Sequence, residues 1–386
     1  MQITIKPEKE RTVTGMTKGP VATQGRILEL DGLRGLAILL VLSFHYINNQ
    51  LEHYTGRMGV ILFKMTSFGW AGVDLFFVLS GFLIGTILFR YRQSKNFFST
   101  FYIRRIVRII PNYYLLIAIF LLLVAMPYFS QSAFLHNNNV IPWWSYFLMI
   151  HNIYMGHLNN LGSNAVNVTW SIGIEEQFYL VFPFIVYFSP KKWIPWVLVL
   201  AIILASVIRE YYIQWIPRYV FLPCRMDSIA FGALAAWFNE EYSLGEMVRK
   251  FSRWFWLIMA LNAGACACLI WKFRDLGVNR HFFLALFFTG CLVAALTWEN
   301  SFYGAFLRNK WLTWIGTISY SLYLFHYLIL AMLEYCLLGY SGGVAVTNSK
   351  DLAVSLLSLG LSFLFAWFVY KKLETPFVRF GKRFKY

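Results

Sequence analysis

Ten long apolar stretches constrain this chain more than any other feature of its sequence. A helix that crosses a bilayer needs about 20 mostly apolar residues. Candidate spans lie at residues 32–50, 69–89, 106–127, 170–188, 193–212, 219–238, 254–272, 281–298, 312–335 and 352–370. Hydrophobic residues make up 59% of the 386 residues and charged residues only 13%, whereas soluble domains average about 45–50% and about 25%. The sequence therefore predicts an all-α polytopic transmembrane bundle of about ten spans.

The distribution of basic residues sets the expected topology. The net charge of +16 would suggest a nucleic-acid partner for a soluble protein, but Lys and Arg collect on the cytoplasmic loops of membrane proteins. With the N-terminus inside, most of the 34 Lys and Arg residues fall on inner segments. This bias favours ten spans with both termini in the cytoplasm, a bilayer as the partner and no nucleic acid.

The same topology divides the chain into three parts. Residues 1–26 form a polar N-terminal tail, predicted to be disordered, and 27–372 form the membrane domain. A basic C-terminal tail follows at 373–386. The apolar segment 142–154 is too short to span and is expected to be a re-entrant or interfacial helix.

Ionisable residues inside the spans are costly in hydrocarbon and are therefore functional candidates. Arg34 begins the first span and His45 lies eleven residues further, which is about three helical turns or about 16 Å, so the two side chains share a face. Polar groups at a similar depth follow on other spans: Asp74, Glu175, Glu176, Arg225, Asp227 and His326. They predict one shared polar cavity. Alternatively, they tie helices together, with Asp74 holding His45 or Arg225 neutralising a glutamate.

A second cluster of charge, Arg104, Arg105 and Arg108, precedes the third span. Arg105 and Arg108 are three residues apart and so lie on one helix face. Arginine forks bind phosphate bidentately, which predicts an anion site suited to the phosphates of coenzyme A. The alternative is simple anchoring by the positive-inside rule.

These residues lie in six ordered strings. The strings are Asp31-Gly-Leu-Arg34-Gly35 with Phe44-His45, Gly72-Val-Asp74 through Ser80-Gly81, Arg104-Arg105-Ile-Val-Arg108-Ile-Ile-Pro111, Thr169-Trp170-Ser171-Ile-Gly-Ile-Glu175-Glu176, Arg225-Met-Asp227-Ser-Ile-Ala-Phe-Gly232 and Ile318-Ser319-Tyr320-Ser321-Leu-Tyr-Leu-Phe-His326. From about residue 27 to 372, the chain resembles the acyltransferase-3 family of integral membrane O-acyltransferases, in particular bacterial polysaccharide and O-antigen O-acetyltransferases.

The resemblance implies transfer of an acyl group, usually acetyl, from cytoplasmic acyl-CoA to a hydroxyl of an extracytoplasmic glycan or lipid-linked saccharide. The family's Arg-x10-His signature corresponds to Arg34 and His45, and its Arg-x-x-Arg signature to Arg105 and Arg108. It further implies a protein of the bacterial inner membrane, with acetyl-CoA as donor and no metal.

The expected mechanism centres on His45, as general base or as transient acyl carrier. The arginine cluster with Arg34 is expected to hold the donor phosphates. Glu175, Glu176 or Asp74 is expected to orient the imidazole, as the acid does in a catalytic triad. The residues expected at the acceptor or the oxyanion are Arg225, Asp227, Tyr320 and His326.

Two other classes of protein remain alternatives at this point. Intramembrane His, Asp and Glu side chains also form the proton relays of transporters and flippases. However, the sequence shows no pair of broken helices in matching halves. A non-catalytic membrane scaffold would not need ionisable groups at one depth. Consumption of acyl-CoA separates the enzyme from both alternatives.

Overall fold

The computed structural model describes residues 26–51, 57–130, 132, 135, 141–272, 280–339 and 349–386. All ten predicted spans are helical. The ten principal helices are α1 (Leu28–Ser43), α2 (Gly72–Tyr91), α3 (Phe97–Ala125), α4 (Trp170–Phe188), α5 (Ile194–Tyr211), α6 (Leu222–Tyr242), α7 (Ser252–Lys272), α8 (Arg280–Thr297), α9 (Lys310–Leu338) and α10 (Ser349–Val369). Apart from Arg26, the predicted N-terminal tail lies outside the described residues.

The all-α polytopic fold is confirmed. The described residues contain no β-strand, and they contain eight helical stretches long and apolar enough to cross a membrane. These stretches include every principal helix except α4 and α7. That α4 and α7 also span the membrane, and that both termini are cytoplasmic, stay predictions.

Glycines let the central helices pack with their backbones in contact. A Cβ at Gly81 of α2 would lie 1.9 Å from the Ile229 carbonyl oxygen of α6. A Cβ at Gly316 of α9 would lie 1.9 Å from the Asp31 carbonyl oxygen of α1. Any side chain at these positions would push the helices apart. The polar residues of α1, α2, α6 and α9 are thereby held close together.

The helix α1 continues into a π-helix, Phe44–Asn48, which contains His45. Such π segments are rare and occur frequently at functional sites. The segment predicted not to span folds into two short helices, Trp143–Phe147 and His151–His157, of five and seven residues. Both are far shorter than the about 20 residues that a spanning helix needs.

The C-terminal segment is docked on the bundle and is not a free tail. A π-helix, Tyr370–Glu374, leads into the helix Thr375–Gly381, so the predicted boundary after residue 372 divides the π-helix. Arg104 donates two hydrogen bonds to the Phe384 carbonyl oxygen, at 2.6 and 3.0 Å. Arg104 therefore fixes this segment to α3, and its place in the donor site stays a prediction.

Candidate active site

The first of two polar cavities, the arginine cavity, lies among α1, α2, α3, α4 and α9 and has a volume of about 100 Å³. Arg34, Arg105 and Arg108 line it on one side. The other polar residues of its wall are Ser80, Ser171, Glu175, Tyr179, Ser319, Tyr320 and Tyr323. The structure therefore brings Arg34 together with the pair Arg105 and Arg108.

The charges lining this cavity favour an anion. Of its lining residues, Glu175 alone is acidic, and its carboxylate accepts a hydrogen bond of 3.0 Å from the Tyr179 hydroxyl. Within the described residues, Arg105 and Arg108 form no ion pair, and Arg34 has only a 3.9 Å contact with Asp31. Unpaired guanidinium groups in a buried site are costly unless a ligand supplies the negative charge.

Glu374 is a second acidic group near these arginines, and no motif in the sequence singles it out. It is buried in the C-terminal π-helix and lies close enough to Arg34 and Arg108 to interact with both electrostatically. The Ser321 hydroxyl and the Asn112 amide donate hydrogen bonds to its carboxylate, at 2.8 and 3.1 Å. These bonds hold the carboxylate in the protein wall.

The second cavity, the histidine cavity, has a volume of about 410 Å³, within the range of small-molecule sites. His45 lines it, and the rest of the wall is rich in aromatic and amide side chains. The aromatic, amide and basic members are Phe44, Asn49, Trp70, Asn164, Asn167, Trp170, Trp215, Tyr219, Arg280, Tyr323 and Tyr327.

His326 determines which nitrogen of His45 faces this cavity. Its Nδ1 lies 2.8 Å and 3.1 Å from the backbone carbonyl oxygens of Tyr323 and Leu322, so that nitrogen must carry the proton. In the neutral ring, Nε2 is then the acceptor, and it lies 2.9 Å from Nδ1 of His45. We assign the proton of His45 to Nδ1 on this geometry. Its Nε2 keeps a free lone pair and can accept a proton.

The partner of His45 is therefore a histidine and not a carboxylate. Asp74 and Glu175 form their hydrogen bonds elsewhere, with Arg225 and Tyr179 respectively. That Glu175, Glu176 or Asp74 orients His45 stays a prediction. In this structure His326 is the residue hydrogen-bonded to His45, and it is completely buried behind the cavity wall.

Tyr323 stands between the two cavities. It and Val73 line both of them, so one layer of side chains separates the spaces. The Tyr323 hydroxyl donates to the Val168 carbonyl oxygen at 3.0 Å and lies 2.7 Å from the Ser171 hydroxyl. Tyr323 was not among the predicted site residues, although it lies three residues before His326 and so shares its helix face.

The remaining predicted site residues of α2 and α6 form a closed ionic network. Arg225 donates to Asp74 at 3.0 Å, and Ser228 donates to the same carboxylate at 3.0 Å. Arg209 and Asp227 form a second pair at 2.7 Å. Neither Arg225 nor Asp227 lines the arginine or the histidine cavity, and both are fully buried. The two pairs connect α2 with α6 and α5 with α6, and contact of Arg225 and Asp227 with the acceptor stays a prediction.

Tyr320 and Glu176 are two further residues that the sequence placed in the site. The Tyr320 hydroxyl donates to the Ile109 carbonyl oxygen at 2.9 Å and lies in the wall of the arginine cavity, away from His45. Glu176 lines neither cavity; one of its carboxylate oxygens is buried without a hydrogen-bond partner among the described residues. The polar groups thus occupy two cavities and a network, not the single cavity expected from their depth.

Residues 27–371 match the model of a family described as an acyltransferase domain, the acyltransferase-3 family. The chain belongs to this family. The match covers the ten principal helices and both cavities. With the eight apolar helices and the bacterial relatives below, it identifies an integral multi-pass protein of a bacterial membrane.

This acyltransferase-3 member is similar to curated bacterial O-acetyltransferases. It is 27% identical over 380 residues to the O-acetyltransferase OatA of Staphylococcus aureus (strain NCTC 8325 / PS 47), covering 91% of this chain and 57% of the relative. It is 27% identical over 385 residues to the peptidoglycan O-acetyltransferase OatA of Listeria monocytogenes serovar 1/2a, covering 92% and 57%. The chain thus spans little more than half the length of these relatives. No solved structure matches it.

Metal ligands are not gathered at either cavity. Within the described part of the chain, no group of three or more His, Cys, Asp or Glu side chains is placed to hold a metal ion.

Proposed function

We propose that this protein is an O-acyltransferase that moves an acetyl group from acetyl-CoA to a hydroxyl of a cell-envelope glycan or lipid-linked saccharide. The observation that carries the proposal is the contact of two unlike cavities at Tyr323. One cavity is lined by arginines and suits an anionic donor, and the other is lined by His45 and suits a hydroxyl acceptor.

The arginine cavity would receive the donor. Its volume of about 100 Å³ is too small for a whole coenzyme A, but it suits a narrow arm. Arg34, Arg105 and Arg108 would bind the phosphates by charge-assisted hydrogen bonds at its wall. The thioester end would then lie toward Tyr323, next to the histidine cavity. In the predicted topology, with both termini in the cytoplasm, the donor enters this cavity from the cytoplasmic side.

His45 would activate the acceptor. Its Nε2 takes the proton from the hydroxyl as the oxygen attacks the thioester carbonyl carbon. The C–S bond breaks, the ester forms, and the imidazolium returns its proton to the leaving thiolate, so His45 ends the cycle neutral. A covalent route, in which Nε2 first accepts the acetyl group, uses the same geometry.

The ionic network argues against a transporter or flippase. A proton relay needs carboxylates that can exchange protons, yet Asp74 and Asp227 are each paired with an arginine. A buried pair of this kind costs about 3–5 kcal/mol to break by removing one partner. The network therefore supports a fixed framework around the cavities.

The proposal is tested with the protein in nanodiscs, radiolabelled acetyl-CoA and a crude cell-envelope glycan fraction. Wild type should release CoA and label the glycan, and His45→Ala should do neither. His157→Ala is the matched control, because His157 is exposed and lines neither cavity. It should retain wild-type rates.

Two results would contradict the proposal. Transfer by folded His45→Ala at a rate near wild type would remove the central role of His45. No CoA release by wild type across several acceptor fractions and acyl-CoAs would favour the transporter.

A further inference from the structure

The wall of the histidine cavity carries the side chains that bind a sugar ring. Trp70, Trp170 and Trp215 offer flat apolar faces, on which the C–H groups of a pyranose can pack. The amides of Asn164 and Asn167 provide both donors and acceptors for hydroxyl groups. This lining agrees with the proposed acceptor, on which the inference below rests, but it does not by itself select one class of sugar.

Binding of a neutral sugar would give no role to the positive charge of Arg280 in this cavity. Three arginines and two aspartates meet in this part of the fold. Arg225 pairs with Asp74, and Arg209 pairs with Asp227. Arg280, the third arginine, is partly buried and forms no ion pair with a carboxylate among the described residues. Within that part of the chain, one positive charge is therefore left unpaired at the cavity wall.

The contacts of Arg280 hold its side chain in place without neutralising it. Its guanidinium group lies over the Trp70 ring, 4.5 Å from the centroid. Its Nε donates to Nε2 of His281 at 3.3 Å. Stacking on an aromatic ring leaves the edge of a guanidinium group free for a bidentate bond to a carboxylate or phosphate. The same cavity contains His45, so a bound anion would lie in the space that the reacting sugar occupies.

We propose that the acceptor is an acidic sugar, and that Arg280 binds its carboxylate or phosphate group while a hydroxyl of the same or the adjoining residue meets His45. A partly buried arginine without a protein counterion costs free energy in the empty site. The acceptor supplies the missing charge, so a neutral sugar of the same shape binds less tightly.

The experiment measures equilibrium binding of three sugars to the nanodisc protein without any donor. N-acetylglucosamine is the neutral probe, N-acetylmuramic acid adds a carboxylate, and N-acetylglucosamine 1-phosphate adds a phosphate. Wild type should bind at least one acidic sugar about 10- to 100-fold more tightly than the neutral one, as expected for a hydrogen-bonded charge pair. Which acidic sugar is preferred identifies the anionic group.

Substitution of the arginine isolates its contribution. Arg280→Gln should abolish the preference by weakening only the acidic sugars, and Arg280→Lys should restore part of it. Arg218→Gln is the matched control. It removes an equal charge from the short helix Trp215–Val220, which carries Trp215 and Tyr219, but Arg218 lines neither cavity. The preference of this variant should equal that of wild type.

Equal binding of the three sugars by wild type, or no binding of either acidic sugar, overturns the inference. So does a preference that survives in Arg280→Gln. Because no donor is present, these results are independent of acetyl transfer. Failure of the CoA-release assay with the acidic preference intact would instead count against the proposed catalysis alone.

Discussion

Replacing His326 should separate the positioning of His45 from its chemistry. Because Nε2 of His326 accepts from Nδ1 of His45 at 2.9 Å, it fixes both the ring orientation and the tautomer. His326→Leu places an apolar side chain of similar size in this fully buried site and removes the hydrogen-bond acceptor Nε2. The lone pair of His45 then has no preferred nitrogen, and a fraction of the rings presents an N–H to the acceptor hydroxyl.

The expected loss follows from the strength of this bond. A neutral hydrogen bond contributes about 0.5–1.5 kcal/mol, which corresponds to about a 2- to 13-fold change in the population of the competent state. Loss of a general base itself costs about 10²- to 10⁴-fold in rate. His326→Leu should therefore lower kcat about tenfold, while His45→Ala should lower it at least tenfold further.

The assay is acetyl transfer in nanodiscs, with kcat and KM determined for acetyl-CoA. His326→Leu should change kcat and leave KM for acetyl-CoA unchanged, because His326 does not line the arginine cavity. His326→Gln should recover much of the activity, because its amide oxygen can accept from Nδ1 of His45. Equal losses in the Leu and Gln variants, or a change confined to KM, would refute the assigned tautomer.

Three further substitutions test other parts of the site. Arg105→Gln should raise KM for acetyl-CoA about 10- to 100-fold, because it removes a charged hydrogen bond. Arg104→Gln should keep a KM near wild type. Similar KM values in the two variants would contradict the proposed donor site. Tyr323→Leu should increase CoA release in the absence of acceptor, because water from the histidine cavity then reaches the thioester. An unchanged rate of thioester hydrolysis would show that Tyr323 does not separate the two cavities. Asp74→Asn should destabilise the protein by about 3–5 kcal/mol, seen as a lower unfolding temperature, and an unchanged temperature would show that the pair with Arg225 is not a structural tie.

Much of the fold follows from the sequence, because the bilayer restricts the possible structures. Backbone groups in hydrocarbon must be satisfied within the helix, so long apolar stretches have one solution. That the segment 142–154 does not form a spanning helix also follows from its length, whereas its division into the helices Trp143–Phe147 and His151–His157 does not. The docked C-terminal segment does not follow from it, because Arg104 forms its hydrogen bonds with backbone carbonyls, which leave no pattern in the sequence.

Many residues of the site could be singled out from the sequence, but not how they are divided between the two cavities and the ionic network. A position along a helix gives the depth of a side chain only if the helix begins at the membrane surface. Trp170, the first residue of α4, is 5% exposed and lines the histidine cavity. Glu175, five residues further, lines the arginine cavity with Arg105 and Arg108. Similarly, which carboxylate pairs with which arginine depends on helix packing, which the sequence pattern does not specify.

In the proposed mechanism, the division into two adjoining cavities explains how a glycan in the histidine cavity could react with a thioester in the arginine cavity without a large opening of the bundle. In the proposed mechanism the donor phosphates stay at the arginines and the acceptor stays at the aromatic wall. Only the acetyl group passes the layer formed by Val73 and Tyr323. A barrier one side chain thick can yield by a rotamer change, whereas the network of Asp74 and Arg225 behind it stays closed. In the proposed mechanism, the fixed network and the thin barrier together allow the acetyl group to pass, while the donor and the acceptor each stay in their own cavity.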